Sequence, residues 1–311
     1  MVLIVTDSHL HVPMYFFLGN LAGLDLCCSS VTVPRLLFDL HTKMRKISIT
    51  ECLFQVFFFL LFATSELFLL AVMSYDRYTA ICQPLHYTQI ICWKVCVELA
   101  SIAGCLGLTT ALVYTLCALR LTFCGSDIIE SFFCDLPQLF QISCSDIYIN
   151  VLLIFLVGGF VGGGSLILTS LSYIYIFKTV LKMQIKVTRS KVFSTCSSHL
   201  TVVFIFYGSL MFNYFQPSSK HFPGDKVVSV FYTAIVPLLN PLIYSLRNQD
   251  LRKAFRDFVK KNFSNSLFHY KDYLENHNRS HISSGYVAET VETKDLAPRS
   301  LGDLQSTFAE A

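Results

Sequence analysis

The sequence predicts an all-α fold, a polytopic bundle of transmembrane helices. Of its 311 residues, 53% are hydrophobic and only 14% are charged, a composition typical of membrane proteins. The apolar residues lie in runs close to the roughly 20 residues that a helix needs to cross a bilayer. The alternating pattern of a β-barrel is absent from the sequence. Helices, which satisfy their own backbone hydrogen bonds in lipid, are therefore the predicted spanning elements.

Six apolar segments predict six spans, after a short apolar stub at residues 1–6. The predicted spans are Pro13–Val33, Leu53–Ser74, Val95–Ala118, Ile149–Phe177, His199–Phe215 and Val227–Leu246. We assign residues 1–262 to a membrane domain, whose basic, amphipathic stretch at about 248–262 predicts a helix on the membrane surface. Residues 263–311 are polar, which predicts a disordered cytoplasmic tail.

Basic residues in short loops predict which helix ends face the cytoplasm. The loop after Phe177 carries five basic residues and no acid, and the segment after Leu246 is also rich in lysine and arginine. Both are predicted to be cytoplasmic, and the loop 119–150, with Arg120 against four acids, is predicted to be extracellular. Residues 43–46, which are also basic, would then lie outside, but the two richer loops outweigh them.

A charged pair, Asp76 and Arg77, follows the apolar run from Cys52 to Val72. At the end of a spanning helix the arginine stem can lie along the apolar surface while its head stays wet. Pro84 predicts that the helix ends just before it, since proline disfavours helical backbone at the preceding residue. Taken alone, the pair fits a passive interfacial anchor as well as a functional site.

Polar residues inside the predicted spans need partners. Asp25 and Glu66 each lie within an apolar helix, where an isolated carboxylate is costly. Two solutions stay open: the acids share a cation, or one of them stays protonated and hydrogen bonded. In the last span Pro241 interrupts the helix, with Asn240 beside it and Tyr244 one turn beyond Asn240 on the same face.

Four cysteines, Cys52, Cys124, Cys134 and Cys144, are predicted to lie on the outer, oxidising face. Four cysteines allow three pairings, which spacing alone does not resolve.

Several sequence motifs, in order from residue 8 to about 262, resemble those of the odorant receptors, the olfactory branch of the rhodopsin-like G-protein-coupled receptors. The matching motifs are Pro13–Leu18, Met73–Cys82, Phe132–Asp135, Lys191–Leu200, Phe206–Gly208 and Pro237–Asn248. The resemblance implies seven helices, a multi-pass place in the plasma membrane, and disulfides Cys52–Cys134 and Cys124–Cys144. It implies no enzyme activity.

The resemblance also implies a function: a small, volatile odorant binds within the helices, and a heterotrimeric stimulatory G protein then raises cyclic AMP. Activation and coupling would involve Asp76, Arg77, Tyr78, Tyr173, Asn240, Pro241 and Tyr244. The ligand would contact Phe59, Leu60, Ala63, Thr64, Tyr207, Leu210, Met211, Tyr214, Val230 and Thr233. Asp25, Glu66 and Asn240 would hold a sodium ion, the one cofactor we expect. Membrane lipid is an expected partner and nucleic acid is not.

The chain also departs from the family pattern. Ser131 stands where histidine is usual, and the outer amino terminus and most of the first helix are missing, which leaves the stub at residues 1–6. A truncated, non-signalling relative, such as a pseudogene product or an incomplete gene model, is therefore the alternative function. A transporter or channel would need an inverted repeat or ordered pore charges, and the sequence has neither.

Overall fold

A computed structural model describes residues 4, 6–7, 10–42, 46–124, 128–130, 134–214, 235–247 and 251–260. These residues form a helix bundle, so the predicted fold class is confirmed. The helices are α1 Pro13–Thr42, α2 Ile49–Cys82, α3 Tyr87–Ile90, α4 Trp93–Ala118, α5 Leu136–Gln141, α6 Tyr148–Leu153, α7 Gly159–Lys182, α8 Lys186–Tyr214 and α9 Val236–Arg247. A π-helical turn, Ile154–Gly158, joins α6 to α7. Residues 251–260 form a further helix, α10.

Residues Met1–Arg256 form one compact unit. The second unit is Asp257–Ala311, of which only residues 257–260 are described, and these are helical. The predicted disordered tail, 263–311, lies outside the described residues.

Among the described residues, four helical segments are long and apolar enough to cross a membrane. They are Pro13–Phe38, Ile49–Cys82, Trp93–Ala118 and Tyr148–Lys182. Each contains one of the predicted spans or nearly coincides with it. A shorter apolar stretch, Cys196–Met211, lies where the fifth predicted span is, and the sixth is described only from residue 235. Several helices continue past the predicted edges, because hydropathy detects only the part of a helix that is in lipid.

The helix α2 is central in the bundle, since it packs against α1, α4, α7 and α8. Gly107 of α4 allows α2 to approach closely. A Cβ atom at this position would lie 2.6 Å from the Leu61 carbonyl oxygen and would overlap the Ser65 hydroxyl. Small residues at such crossings let helix backbones pack in lipid, where no hydrophobic driving force brings them together.

The outer end of α2 is held by a capping box and a short strand pair. Ser48 and Glu51 exchange backbone-to-side-chain hydrogen bonds of 3.3 Å, which satisfies two free N–H groups. Strand β1, Lys46–Ser48, pairs antiparallel with β2, Ile128–Glu130. The sequence predicts no strand here, because three residues are too few for a periodic pattern. The pair forms where the outer loop lies beside the start of α2.

Candidate functional site

The inner end of α2 presents Asp76 and Arg77 as an ion pair. The Arg77 Nε donates to Asp76 Oδ2 at 2.9 Å, and a terminal guanidinium nitrogen donates to the same oxygen. The side chain of Asp76 is 1% exposed and that of Arg77 is 16% exposed. The helix ends at Cys82, just before Gln83 and Pro84, as the position of the proline predicts. The carboxylate is buried, so it needs this cation.

The second oxygen of Asp76 is occupied by Tyr87, on the short helix α3 between two spans. The Tyr87 hydroxyl donates to Asp76 Oδ1 at 2.8 Å. Burial, and then the nearby Asp76 charge, raises the pKa of Tyr87 above its ordinary value. The phenol therefore stays a protonated donor throughout the physiological pH range. Asp76 is thus held from two sides, by Arg77 on its own helix and by Tyr87 from the loop.

Next to this ion pair, α7 and α8 are joined by a polar contact. The Tyr173 hydroxyl lies 2.6 Å from His199 Nδ1, and the two rings stack with centroids 5.7 Å apart. Arg77 is close enough to both side chains to interact with them electrostatically. Tyr78 lies on the same inner side, with its ring 5.9 Å from that of Tyr175. The structure therefore brings together, at the inner side of the bundle, four residues that the resemblance assigns to activation and coupling: Asp76, Arg77, Tyr78 and Tyr173.

Toward the outer half of α2, the residues predicted to contact a ligand divide between two apolar clusters. Phe59 is buried against Cys28, with Phe62, Ala63 and Leu210 packed around them. Leu60, one residue on, belongs instead to a neighbouring cluster of α2, α4 and the outer loop. The structure therefore brings Phe59, Ala63 and Leu210 together and separates Leu60 from them.

The remaining predicted ligand contacts are spread more widely. Tyr207 is buried and donates to Ser165 at 2.9 Å, which links α8 to α7. Thr64 is half-buried, and Met211 is 44% exposed. The side chain of Tyr214, and Val230 and Thr233 altogether, lie outside the described residues.

Deeper in the bundle, Asp25 of α1 and Asn240 of α9 are hydrogen bonded, Nδ2 to Oδ1 at 2.9 Å. Glu66 of α2 is 2% exposed and lies within electrostatic reach of Asp25. One oxygen on each of the three side chains is buried without a hydrogen-bond partner: Asp25 Oδ2, Glu66 Oε1 and Asn240 Oδ1. The side chains of Pro241 and Tyr244 lie outside the described residues.

Such a trio of acceptors fits a small hard cation or a shared proton. In the described part of the chain, no three His, Cys, Asp or Glu side chains cluster in a way that could hold a metal ion. An ion here would therefore need the Asn240 amide oxygen as a ligand beside the two carboxylates. Oxygen donors of this kind suit hard cations rather than metals that prefer thiolate or imidazole ligands.

The outer loop is fixed to α2 and to itself by disulfides. Cys52 is bonded to Cys134 with Cα atoms 5.3 Å apart, and Cys124 is bonded to Cys144 with Cα atoms 5.7 Å apart. One turn into α2, Gln55 accepts a hydrogen bond from the Cys134 N–H at 3.1 Å. Its Nε2 donates to the Val31 carbonyl of α1 at 3.4 Å. Gln55 thus joins the loop, α1 and α2 just outside the Phe59 cluster.

Sequence reasoning missed four of these residues: Cys28, Gln55, Tyr87 and Ser165. Gln55 gives the clearest signal, since it is a lone amide in an apolar run, three residues after a predicted disulfide cysteine. Tyr87 gives a weaker one, as an aromatic residue directly after the loop that ends α2. Cys28 and Ser165 are small residues in apolar helices, and their partners depend on helix rotation that no local pattern reveals.

Comparison with known proteins finds relatives of this chain over most of its length. A family model described as olfactory receptor matches residues 1–265. The chain is 48% identical over 260 residues to olfactory receptor 5B12 of Homo sapiens, a match that covers 83% of each chain. It is 46% identical over 261 residues to olfactory receptor 5AR1 of Mus musculus, covering 84% of each. Like its relatives, the chain is a multi-pass membrane protein and not an enzyme. It belongs to the olfactory receptor family.

Proposed function

We propose that this chain binds small, mostly apolar volatile odorants among its helices and then activates a stimulatory G protein, which raises cyclic AMP. The main observation behind the proposal is that one helix, α2, contains both the proposed ligand contacts and the proposed coupling residues. Phe59 and Ala63 lie in the buried apolar cluster, and Asp76 and Arg77 lie at the inner end of the helix. Phe59 and Arg77 are separated by about 27 Å of helix at ~1.5 Å per residue.

The cluster around Phe59 suits an odorant because its members are apolar and come from more than one helix. Cys28 comes from α1, Phe59, Phe62 and Ala63 from α2, and Leu210 from α8. Small ligands bind where apolar walls converge and a few polar groups fix orientation. Among the described residues of the predicted ligand set, Thr64 and Tyr207 carry the hydroxyls that could take that orienting role.

The mechanism is a shift between two arrangements of the same helices. An odorant changes the balance only if it binds one arrangement more tightly than the other. In the arrangement described here, Arg77 is held by Asp76, and Tyr173 is held by His199. In the active arrangement Arg77 leaves Asp76 and contacts the G protein, and Tyr173 stabilises the displaced helices. The basic inner loops supply a surface for an acidic partner.

The test uses purified receptor in nanodiscs with purified heterotrimeric G proteins and an odorant panel. Nucleotide exchange on a stimulatory G protein should rise with at least one odorant and should not rise on an inhibitory G protein. An Ala63→Phe variant, which fills the Phe59 cluster, should lose the response to that odorant. Equal exchange on both G proteins, or none with any odorant, would contradict the proposal.

We also propose that Asp25, Glu66 and Asn240 share a sodium ion. Three buried oxygens without hydrogen-bond partners support it, since each needs a cation or a hydrogen-bond donor. The ion would offset one of the two negative charges of the carboxylates and hold α1, α2 and α9 together.

A further inference from the structure

The outward face of α7 carries a shallow, open groove of about 380 Å³, whose described lining, Ser170, Tyr173, Ile174, Phe177 and Lys178, is one face of the helix. We call it the α7 groove. From Ser170 to Lys178 it extends about 12 Å along the helix at ~1.5 Å per residue. Its described lining is apolar apart from the serine hydroxyl, the tyrosine edge and the lysine at one end. A groove of this length accommodates about half of a phospholipid acyl chain.

The groove faces the bilayer rather than the protein core. Ile174 is 49% exposed and Phe177 is 54% exposed, and both lie on the spanning segment Tyr148–Lys182. Side chains that are exposed at this depth in a spanning helix contact lipid, because the bilayer core contains no water. A lipid chain is therefore the occupant that the surroundings supply.

The charge at one end of the groove selects the lipid. Lys178 closes the groove, and its ammonium lies 5.7 Å from the centroid of the Tyr175 ring, which keeps it near the helix surface. Lys182 follows one turn later, and no acidic residue occurs in α7 or α8. This end is the one that the positive-inside rule assigns to the cytoplasm, where the leaflet is rich in anionic headgroups.

We propose that the α7 groove binds an anionic phospholipid of the cytoplasmic leaflet. The acyl chain lies along Ser170, Ile174 and Phe177, and the phosphate and the carboxylate of a serine headgroup contact the Lys178 ammonium, with Lys182 beside it, whereas phosphatidylcholine has the phosphate but no net negative charge. Each lysine that contacts an anionic leaflet strengthens association about fivefold. The site therefore prefers phosphatidylserine to phosphatidylcholine at equal acyl chain.

The groove also connects to the inner cluster. Tyr173 forms part of its wall, and the hydroxyl of the same residue contacts His199 of α8. A bound acyl chain packs against the Tyr173 ring and therefore affects the position of the hydroxyl that links α7 to α8. This consequence rests on the proposed function, in which Tyr173 takes part in activation. Binding of the lipid itself does not depend on the proposed function.

The binding test uses native mass spectrometry of the full chain from nanodiscs that contain phosphatidylcholine with and without phosphatidylserine. The unmodified chain should retain phosphatidylserine preferentially, and Lys178→Gln should lower that retention about fivefold. Lys94→Gln is the matched control, because Lys94 is 84% exposed and lies on α4. Ile174→Trp, which fills the groove and keeps both lysines, should also lower retention.

Equal retention of the two lipids, or an equal effect of Lys94→Gln and Lys178→Gln, would overturn the site. A second measurement, odorant-stimulated nucleotide exchange in the same nanodiscs, separates the two proposals. Selective lipid retention together with no exchange in any lipid contradicts the proposed function and leaves the site intact. Exchange without selective retention contradicts the site alone.

Discussion

The Tyr87 hydroxyl and the Asp76 carboxylate are joined by a hydrogen bond of 2.8 Å between a loop helix and the inner end of α2. This bond occupies the oxygen of Asp76 that Arg77 leaves open. A buried carboxylate is costly unless its oxygens are satisfied. Tyr87 therefore helps to keep Asp76 charged and in place, which in turn keeps Arg77 paired.

Replacing Tyr87 by phenylalanine should raise basal cyclic AMP. The change removes a hydrogen bond to a charged group, which contributes about 1.5–3 kcal/mol, so the balance should shift roughly tenfold or more toward the active arrangement. Tyr75→Phe is the control, because Tyr75 lies next to Asp76 on α2 and is 43% exposed. The measurement is ligand-free cyclic AMP at matched surface display. Unchanged basal signalling in Tyr87→Phe would contradict this role.

The same bond predicts how signalling responds to pH. The pKa of Tyr87 is raised in the folded chain, so its stabilising contribution is complete below the unfolded value of about 10 and is lost only as pH rises beyond it. Basal activity should therefore not change through Tyr87 ionisation across the physiological range. A Tyr87-dependent rise of basal activity near neutral pH would contradict this assignment.

Replacing Gln55 by leucine should weaken odorant responses without removing the disulfide. The change removes bonds to Cys134 N–H and to the Val31 carbonyl, each of which contributes about 1 kcal/mol. Melting temperature should fall, and the odorant concentration for half-maximal response should rise. Gln55→Glu keeps the acceptor for Cys134 N–H and loses the donor to Val31, so it separates the contributions of the two hydrogen bonds. A Gln55→Leu variant identical to the unmodified chain in both measurements would show that the amide has no such role.

Mass spectrometry of non-reduced peptides should find Cys52 linked to Cys134. The bridge closes a loop with a sequence separation of 82, and cross-links over long loops contribute several kcal/mol, about 2–4 in typical cases. Cys52→Ser should therefore reduce surface display strongly, whereas Cys105→Ser, at an exposed free cysteine, should not. Free thiols at both Cys52 and Cys134 in folded receptor would contradict the linkage.

Sodium should raise the melting temperature of the purified chain, relative to potassium at equal ionic strength. At about ten times its dissociation constant, a ligand that binds only the folded state stabilises it by about 1.4 kcal/mol. Glu66→Gln should abolish the difference between the two salts. If the unmodified chain melts identically in sodium and potassium, a shared proton is the better account of the two acids.

The features that were predicted well from the sequence are those that a local pattern or a family motif specifies. Apolar run length predicts the four described spans, and Pro84 predicts the end of α2. The pairing of Asp25 with Asn240 follows the grouping that the family resemblance implies, although the two residues are far apart in the chain.

The features that sequence could not predict depend on rotation and register between elements. Phe59 and Leu60 are adjacent, yet they pack in different clusters, because the rotation of α2 decides which side chain faces α1. The short strands β1 and β2 form because the loop that contains Cys134 is anchored to α2, and neither segment carries a strand pattern. Tyr87 acts through a loop conformation, which hydropathy does not report.

The most direct test of the proposed mechanism is odorant-stimulated cyclic AMP in Arg77→Ala at measured surface display. If the Asp76–Arg77 pair is the element that contacts the G protein, this variant should reach the surface and lose the odorant response. Lys94→Ala, which removes an exposed basic residue at the start of α4, should respond as the unmodified chain does. An Arg77→Ala response equal to that of the unmodified chain would contradict the mechanism and would leave Arg77 as a helix anchor.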